Sequence, residues 1–261
     1  MTGAIALTYH AVERGEGPLF VDPATFAAHL DEIVASGLRA VTASELARLV
    51  REGRAEGAVA ITFDDGLASV ARVAAPLLAE RALPATVFCV AGRLGGTSDW
   101  PSAPGGAPVL PLATAAEVEA LSRDGFEIGC HGMEHEPLVS EDAALLEREL
   151  VRSKRVLEEV AGAPVRAFAL PYGARPSTAA RRLLGQTYAS CWTTELRGIC
   201  ARDDVLALPR IDAHYVRSVT HLRGALAGGL RPYLRARRAV AGMRRRLVSD
   251  YAWSVTSGDA R

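Results

Sequence analysis

The chain has 261 residues, 49% of them apolar, which is room for one large domain or two small ones and too apolar for disorder. Thirty basic residues balance thirty acidic ones, so no global field draws the chain to nucleic acid or to a membrane. No uninterrupted apolar span of about 20 residues occurs, and no basic segment followed by an apolar stretch opens the chain; a cytoplasmic location is expected.

The first strand candidate, AIALTY, ends in His10. Asp22 followed by Pro23 signals the start of a helix that runs to Gly37. LRAVT and AVAITF are the next strands, and the second leads straight into Asp64 and Asp65. After ATVFCVA the rhythm breaks at residues 92–113, a Gly- and Pro-rich stretch too long for an ordinary connection. Such loops serve as lids or as tolerated surface insertions. FEIGC leads into His131, with His135 four residues later. Ser140 marks the start of a second long helix, which stops at Gly162 before Pro164. RAFAL ends in Pro171-Tyr172-Gly173, and YASCW and VLALPRI complete the strands.

These strands are apolar at nearly every position, as expected where helices cover both faces of a parallel sheet. Seven or eight strand–helix repeats predict an α/β protein, a (β/α) barrel of irregular or incomplete form, with an open doubly wound sheet as the alternative. The barrel domain is expected over residues 1–227 and a basic helical extension over 228–261. The extension carries seven arginines between Arg231 and Arg246, a pattern that can contact an anionic surface. Cys89, Cys130, Cys191 and Cys200 show no CxxC spacing and are expected as free thiols, mostly buried.

The polar residues fall at strand ends, and in a parallel barrel the C-terminal strand ends share one face. Two imidazoles at i, i+4 on a turn or helix start lie on one side, and with one carboxylate they leave open positions on a metal. Zinc suits that donor set, as do cobalt, nickel and iron. Of two adjacent carboxylates, one can ligate while the other stays free as a base.

TFDDG at 62–66, HGMEH at 131–135 and FALPYG at 168–173 resemble, in order, the first three motifs of the polysaccharide deacetylases, carbohydrate esterase family four. The resemblance implies the NodB-like distorted (β/α)7 barrel. It implies Asp64 as general base, Asp65, His131 and His135 as metal ligands, and the backbone N–H of Tyr172 as oxyanion donor. The implied reaction is metal-assisted hydrolysis of an N-acetyl group from an amino sugar. The YH pair ending the first strand is similar to the branch that includes poly-N-acetylglucosamine deacetylases, in which an N-terminal histidine is the acid. His10 is therefore the expected acid and His214 the alternative.

Three departures stand out. Ala169 occupies the place of the arginine that holds the base in the family, and Arg210 is the candidate substitute from another strand end. Cys191-Trp192 lies in the region of the fourth motif without its aspartate. The fifth motif has only His214 nearby, at a poor spacing. Pro171, Trp192 and Trp100 are the candidate substrate contacts, with packing on the barrel rim as the other reading for Trp100. Glu134 is expected beside the ligands rather than on the metal, and His29 as a surface or packing residue. Two other functions remain open: a deacetylase or amidohydrolase of a small natural-product intermediate, and a glycan-binding module that has lost catalysis.

Overall fold

The computed structural model describes residues 3–102, 106–230 and 232–237. Its strands are β1 (Ile5–Tyr9), β2 (Ala11–Val12), β3 (Phe20–Val21), β4 (Arg39–Val41), β5 (Ala58–Phe63), β6 (Thr86–Cys89), β7 (Glu127–Cys130), β8 (Ala167–Ala169), β9 (Ser190–Trp192) and β10 (Ile211–Asp212). The helices are α1 (Pro23–Ala35), α2 (Ala43–Arg51), α3 (Ala75–Ala79), α4 (Ala115–Arg123), α5 (Ala143–Leu146), α6 (Ser153–Ala161), α7 (Thr178–Thr187) and α8 (Val219–Leu226).

The main sheet runs β10-β1-β5-β6-β7-β8-β9, with every pairing parallel. β4 pairs with Ala58–Ala60 of β5, while β6 pairs further along, with Thr62 and Phe63. Residues 205–212 close the ring. Leu208 bridges Trp192 beside β9, and three residues later Ile211 pairs with Leu7 of β1. This is the expected distorted barrel rather than an open sheet.

Period-two alternation sorts the strand residues into two cores. Ile5, Leu7, Tyr9, Val59, Ile61, Phe63 and Val87 pack outward against the helices. Ala6, Ala60, Ala167, Ala169, Phe88, Trp192 and Leu208 form the barrel interior. The interior is mostly alanine, which leaves space for the Phe88 ring, the Trp192 indole and the buried Arg210. Gly129 is needed here, because a Cβ there would run into the Phe88 ring. α2 covers the N-terminal mouth: its Leu46, Leu49 and Val50 join the inner core, and Ala43 N donates to Thr86 Oγ1 at 2.8 Å. The open chemistry is thereby left to the C-terminal strand ends.

α1 starts as expected, with the Asp22 carboxylate accepting from Ala24 N and Pro23 at the first position. The second long helix starts later than Ser140. Asp142 is the N-cap, accepting from Ala144 N and Leu145 N, because its carboxylate reaches two backbone donors while Ser140 Oγ accepts only from Asp142 N. That helix widens to π geometry over Glu147–Arg152 before α6 resumes, and it ends at the left-handed Gly162. Cys89, Cys130 and Cys191 are buried free thiols and Cys200 is exposed.

No described helix is long and apolar enough to cross a membrane. Beyond residue 227, Leu234 packs into the outer core and Tyr233 OH donates to Tyr215 O at 3.3 Å. Arg231, Arg238, Arg244, Arg245 and Arg246, where the contact with an anionic surface was expected, lie outside the described residues.

Candidate metal and catalytic site

At the end of β5 the inward alternation continues through Thr62 to Asp64, whose N–H still donates to Tyr9 O at 3.0 Å. Asp65 then turns left-handed at φ 69°, so the two carboxylates diverge. Asp65 Oδ1 lies 3.5 Å from His131 Nε2 and 3.3 Å from His135 Nε2. Among the described residues these three form a buried group whose ligand atoms all lie within 4.8 Å of one another.

The donor set fits a divalent ion. His131 Nδ1 donates to Ala169 O at 2.8 Å, which fixes the tautomer and leaves Nε2 as the lone-pair donor. His135 is oriented differently. Its ring is stacked on Trp100 at 4.7 Å and 19°, and is met edge-on by Tyr172 at 4.5 Å. The i, i+4 spacing works through a turn, not a helix, and His135 itself sits at φ 61°. Four non-glycine residues among those described have positive φ, and Asp65, His135 and Tyr172 are three of them. Each such backbone costs roughly 1–3 kcal/mol, a strain that concentrates at functional sites.

Arg210 reaches the site from the segment that closes the ring. Its Nη1 and Nη2 donate to Asp64 Oδ1 and Oδ2 at 2.6 and 2.8 Å. Nη1 also donates to Thr62 Oγ1 at 3.2 Å, Nε donates to Thr193 O at 3.1 Å, and the guanidinium lies 5.4 Å from the Phe88 ring centre. Both partners are buried, at 1% and 4% side-chain exposure. Burial pushes the Asp64 carboxyl up, but the charges of Arg210 and His131 with the Arg210 hydrogen bonds outweigh it, and the group is held below its ordinary range. Burial pushes the Asp65 carboxyl up as well, but the facing His131 and His135 imidazoles outweigh it and the group lies well below that range. For His131, burial is outweighed by the charge of Asp64 and the bond to Asp65, and its pKa rises; for His135 burial prevails and its pKa falls.

His10, at the end of β1, is half-buried, and its charge is among those that favour ionised Asp64 and Asp65. His214 sits in the 3-10 turn after β10, its N–H on Asp212 and its ring edge-on to Tyr215. Pro171 and Tyr172 form a tight turn after β8, with Tyr172 at φ 57°. Burial first, and the nearby Asp65 charge to a lesser degree, push the Tyr172 phenol up to about 12. A Cβ at Gly173 would run into Thr194.

One expected substrate contact is placed elsewhere. Trp192 is 0% exposed in the barrel interior, because alternation along β9 turns it inward below the rim, so it packs rather than lining a cleft. Trp100 is nearly buried, and its ring stacks on the His135 imidazole. The described residues of the 92–113 stretch that carries it are docked on the site. Ala113 N donates to Gly66 O and Ala68 N to Pro111 O, both at 2.9 Å, and Ser102 Oγ lies 3.0 Å from Tyr172 OH. Glu134 accepts from Arg93 Nε at 2.7 Å. His29 is fully buried, between Tyr9 OH and Arg217 O.

One residue of this region escaped the sequence reading. Glu149 is 0% exposed, and its Oε2 accepts from Met133 N at 2.8 Å and Glu134 N at 3.1 Å. The signal was present: Leu146, Leu150, Ser153 and Leu157 form the buried stripe of the helix, and Glu149 is a carboxylate on that stripe.

A family model described as polysaccharide deacetylase matches residues 51–189, just over half of the chain. A search by sequence among curated proteins finds no match. Among solved structures, the fold is similar to IcaB from Ammonifex degensii, at 24% identity and a TM-score of 0.72, covering 87% of this chain and 97% of that one. It is similar to the Streptococcus pyogenes deacetylase PplD in complex with acetate, at 22% identity and a TM-score of 0.73, covering 85% and 97%. It is also similar to a polysaccharide deacetylase from Bacillus cereus, at 21% identity and a TM-score of 0.70, covering 85% and 68%.

Proposed function

Since this chain belongs to the polysaccharide deacetylase family, we propose that it is a metal-dependent hydrolase that removes N-acetyl groups from an amino sugar in a glycan, glycolipid or small glycoconjugate. Asp65, His131 and His135 hold the ion, zinc first by donor type and cobalt, nickel or iron(II) as substitutes. When bound, the ion supplies an acidified water and polarises the acetyl carbonyl.

The protein's own groups divide the proton work. Asp64 is the base: Arg210 keeps it ionised and fixes its plane, while each oxygen retains a lone pair for the proton of the attacking water. The Tyr172 N–H, turned by its left-handed backbone, donates to the developing oxyanion. His10 in its protonated form delivers a proton to the departing amine nitrogen, with His214 as the weaker candidate. The acetate bound to PplD is the product such a reaction releases. The barrel domain ends near residue 227, and 228–261 is an extension of it.

The observation that carries this reading is the split of one Asp-Asp pair between a guanidinium and two imidazoles. The same observation weighs against a lapsed glycan-binding module, whose motivation is the arginine missing at Ala169 and the missing fourth motif; Arg210 answers the first by supplying an arginine to the same carboxylate. In the test, Asp64→Asn should lose about 10²–10⁴-fold in acetate release while mass spectrometry still finds the metal. Full activity in that variant would sink the mechanism. Chitooligosaccharides assayed beside small N-acetyl amino sugars separate a polymer substrate from a small one.

A further inference from the structure

We propose that Glu149 is a positioning residue for the metal pair: its buried carboxylate clamps the turn that sets His131 and His135 on one ion. The inference rests on the metal reading of that pair.

The turn between the two imidazoles has no helix or strand to fix it. Its peptide groups are satisfied from two sides instead. Ala91 N donates to Gly132 O and Gly92 N to Met133 O, both at 2.9 Å, from the turn after β6. The N–H groups of Met133 and Glu134 both go to Glu149 Oε2. With the Gly132 and Met133 carbonyls and the Met133 and Glu134 N–H groups taken, the turn is held from both sides. Gly132 permits the close approach: it sits at φ 89°, and a Cβ there would stand 2.8 Å from Glu149 Oε2.

A carboxylate on the apolar stripe of a helix is costly to bury unless its oxygens are bonded. Here Oε2 bonds the turn and Oε1 accepts from Arg148 Nε at 3.1 Å. The π-helical stretch Glu147–Arg152 places Glu149 and Leu150 side by side in the core, and such widened turns occur frequently at functional sites. The carboxylate touches neither imidazole and no reacting atom. Its action on the ion is through the backbone between His131 and His135.

The test compares zinc affinity, by chelator competition, in wild type, Glu149→Ala, Glu149→Gln and Glu149→Asp. Groups that orient metal ligands typically change affinity by about 10–100-fold when lost, and that loss is expected of Glu149→Ala. Glu149→Gln retains an acceptor oxygen at the same reach and should stay within about threefold of wild type. Glu149→Asp keeps the charge but withdraws the oxygen by one methylene and should resemble Ala; it keeps the test decisive if Ala does not fold. Amide exchange in zinc-free protein should rise at Met133 and Glu134 in Ala and Asp only. In the assay the loss should fall on kcat with KM little changed. Wild-type zinc affinity in folded Ala or Asp variants overturns the proposal, as does a Gln variant as weak as Ala. A wild-type protein with no zinc affinity overturns the metal reading itself, and this inference with it.

Discussion

Replacing Arg210 with methionine keeps much of the side-chain volume and removes the charge from Asp64. Unit charges about 4 Å apart at an effective dielectric of about 20 interact by about 4 kcal/mol. The His131 charge remains beside Asp64, so the carboxyl should rise in the variant without losing all of its support. The acid limb of kcat/KM for acetate release should move to higher pH, with partial recovery of rate at alkaline pH. Stability gives a second reading, taken on chelator-treated protein. An unpaired buried carboxylate costs about 3–5 kcal/mol, which for a chain of this size lowers Tm by about 6–20 °C. The sign follows from linkage. In wild type the depressed Asp64 pKa contributes stability that is present above the ordinary carboxylate range and lost as pH falls through the folded value. In the variant the carboxyl protonates at higher pH, so the Tm gap should narrow as the solution is acidified. A variant with an unmoved acid limb, or with a gap that stays constant with pH, would refute the assignment of Arg210 as the support of the base.

The acid is separated by His10→Gln and His214→Gln. The first should cost about 10²–10⁴-fold in kcat, and the second should leave kcat near wild type; the reverse pattern would hand the role to His214. Trp100→Ala removes the ring stacked on His135 and should weaken zinc binding by about 2–12-fold, the equivalent of about 0.5–1.5 kcal/mol for an aromatic pair, with Trp100→Phe largely restoring it. His29 is held neutral by burial, its pKa below the ordinary value. Stability should therefore be full above about pH 6.5 and fall as pH drops below it; His29→Gln should show a shallower fall in Tm over that window.

The barrel was legible because its strands are short apolar runs ending in polar residues at a regular spacing. The cluster of Asp65, His131 and His135 was legible for the same reason, since the Asp64-Asp65 pair follows β5 and His131 follows β7. The strand runs hid something too. Apolar residues at every position conceal which parity points inward, and only the inward facing of Thr62, Asp64 and Arg210 explains why those side chains meet. The Arg210–Asp64 contact spans 146 positions and depends on ring closure, so sequence supplied a candidate and no geometry. Trp192 was misplaced because a strand-end position reads the same whether its side chain lies above or below the rim. Glu149 is hard to single out because ERELVRSKR has the charge pattern of a solvated helix, which masks the apolar spacing of Leu146, Leu150 and Leu157 that puts its carboxylate on the buried stripe.

The ring is completed by the same short segment that brings Arg210 to Asp64. On the proposed mechanism, a chain in which this last strand has not docked keeps Asp65, His131 and His135 but lacks the group that orients and charges its base. Holding an ion and hydrolysing with it would then rest on different stretches of the chain, and the second would wait for β10 to settle beside β1.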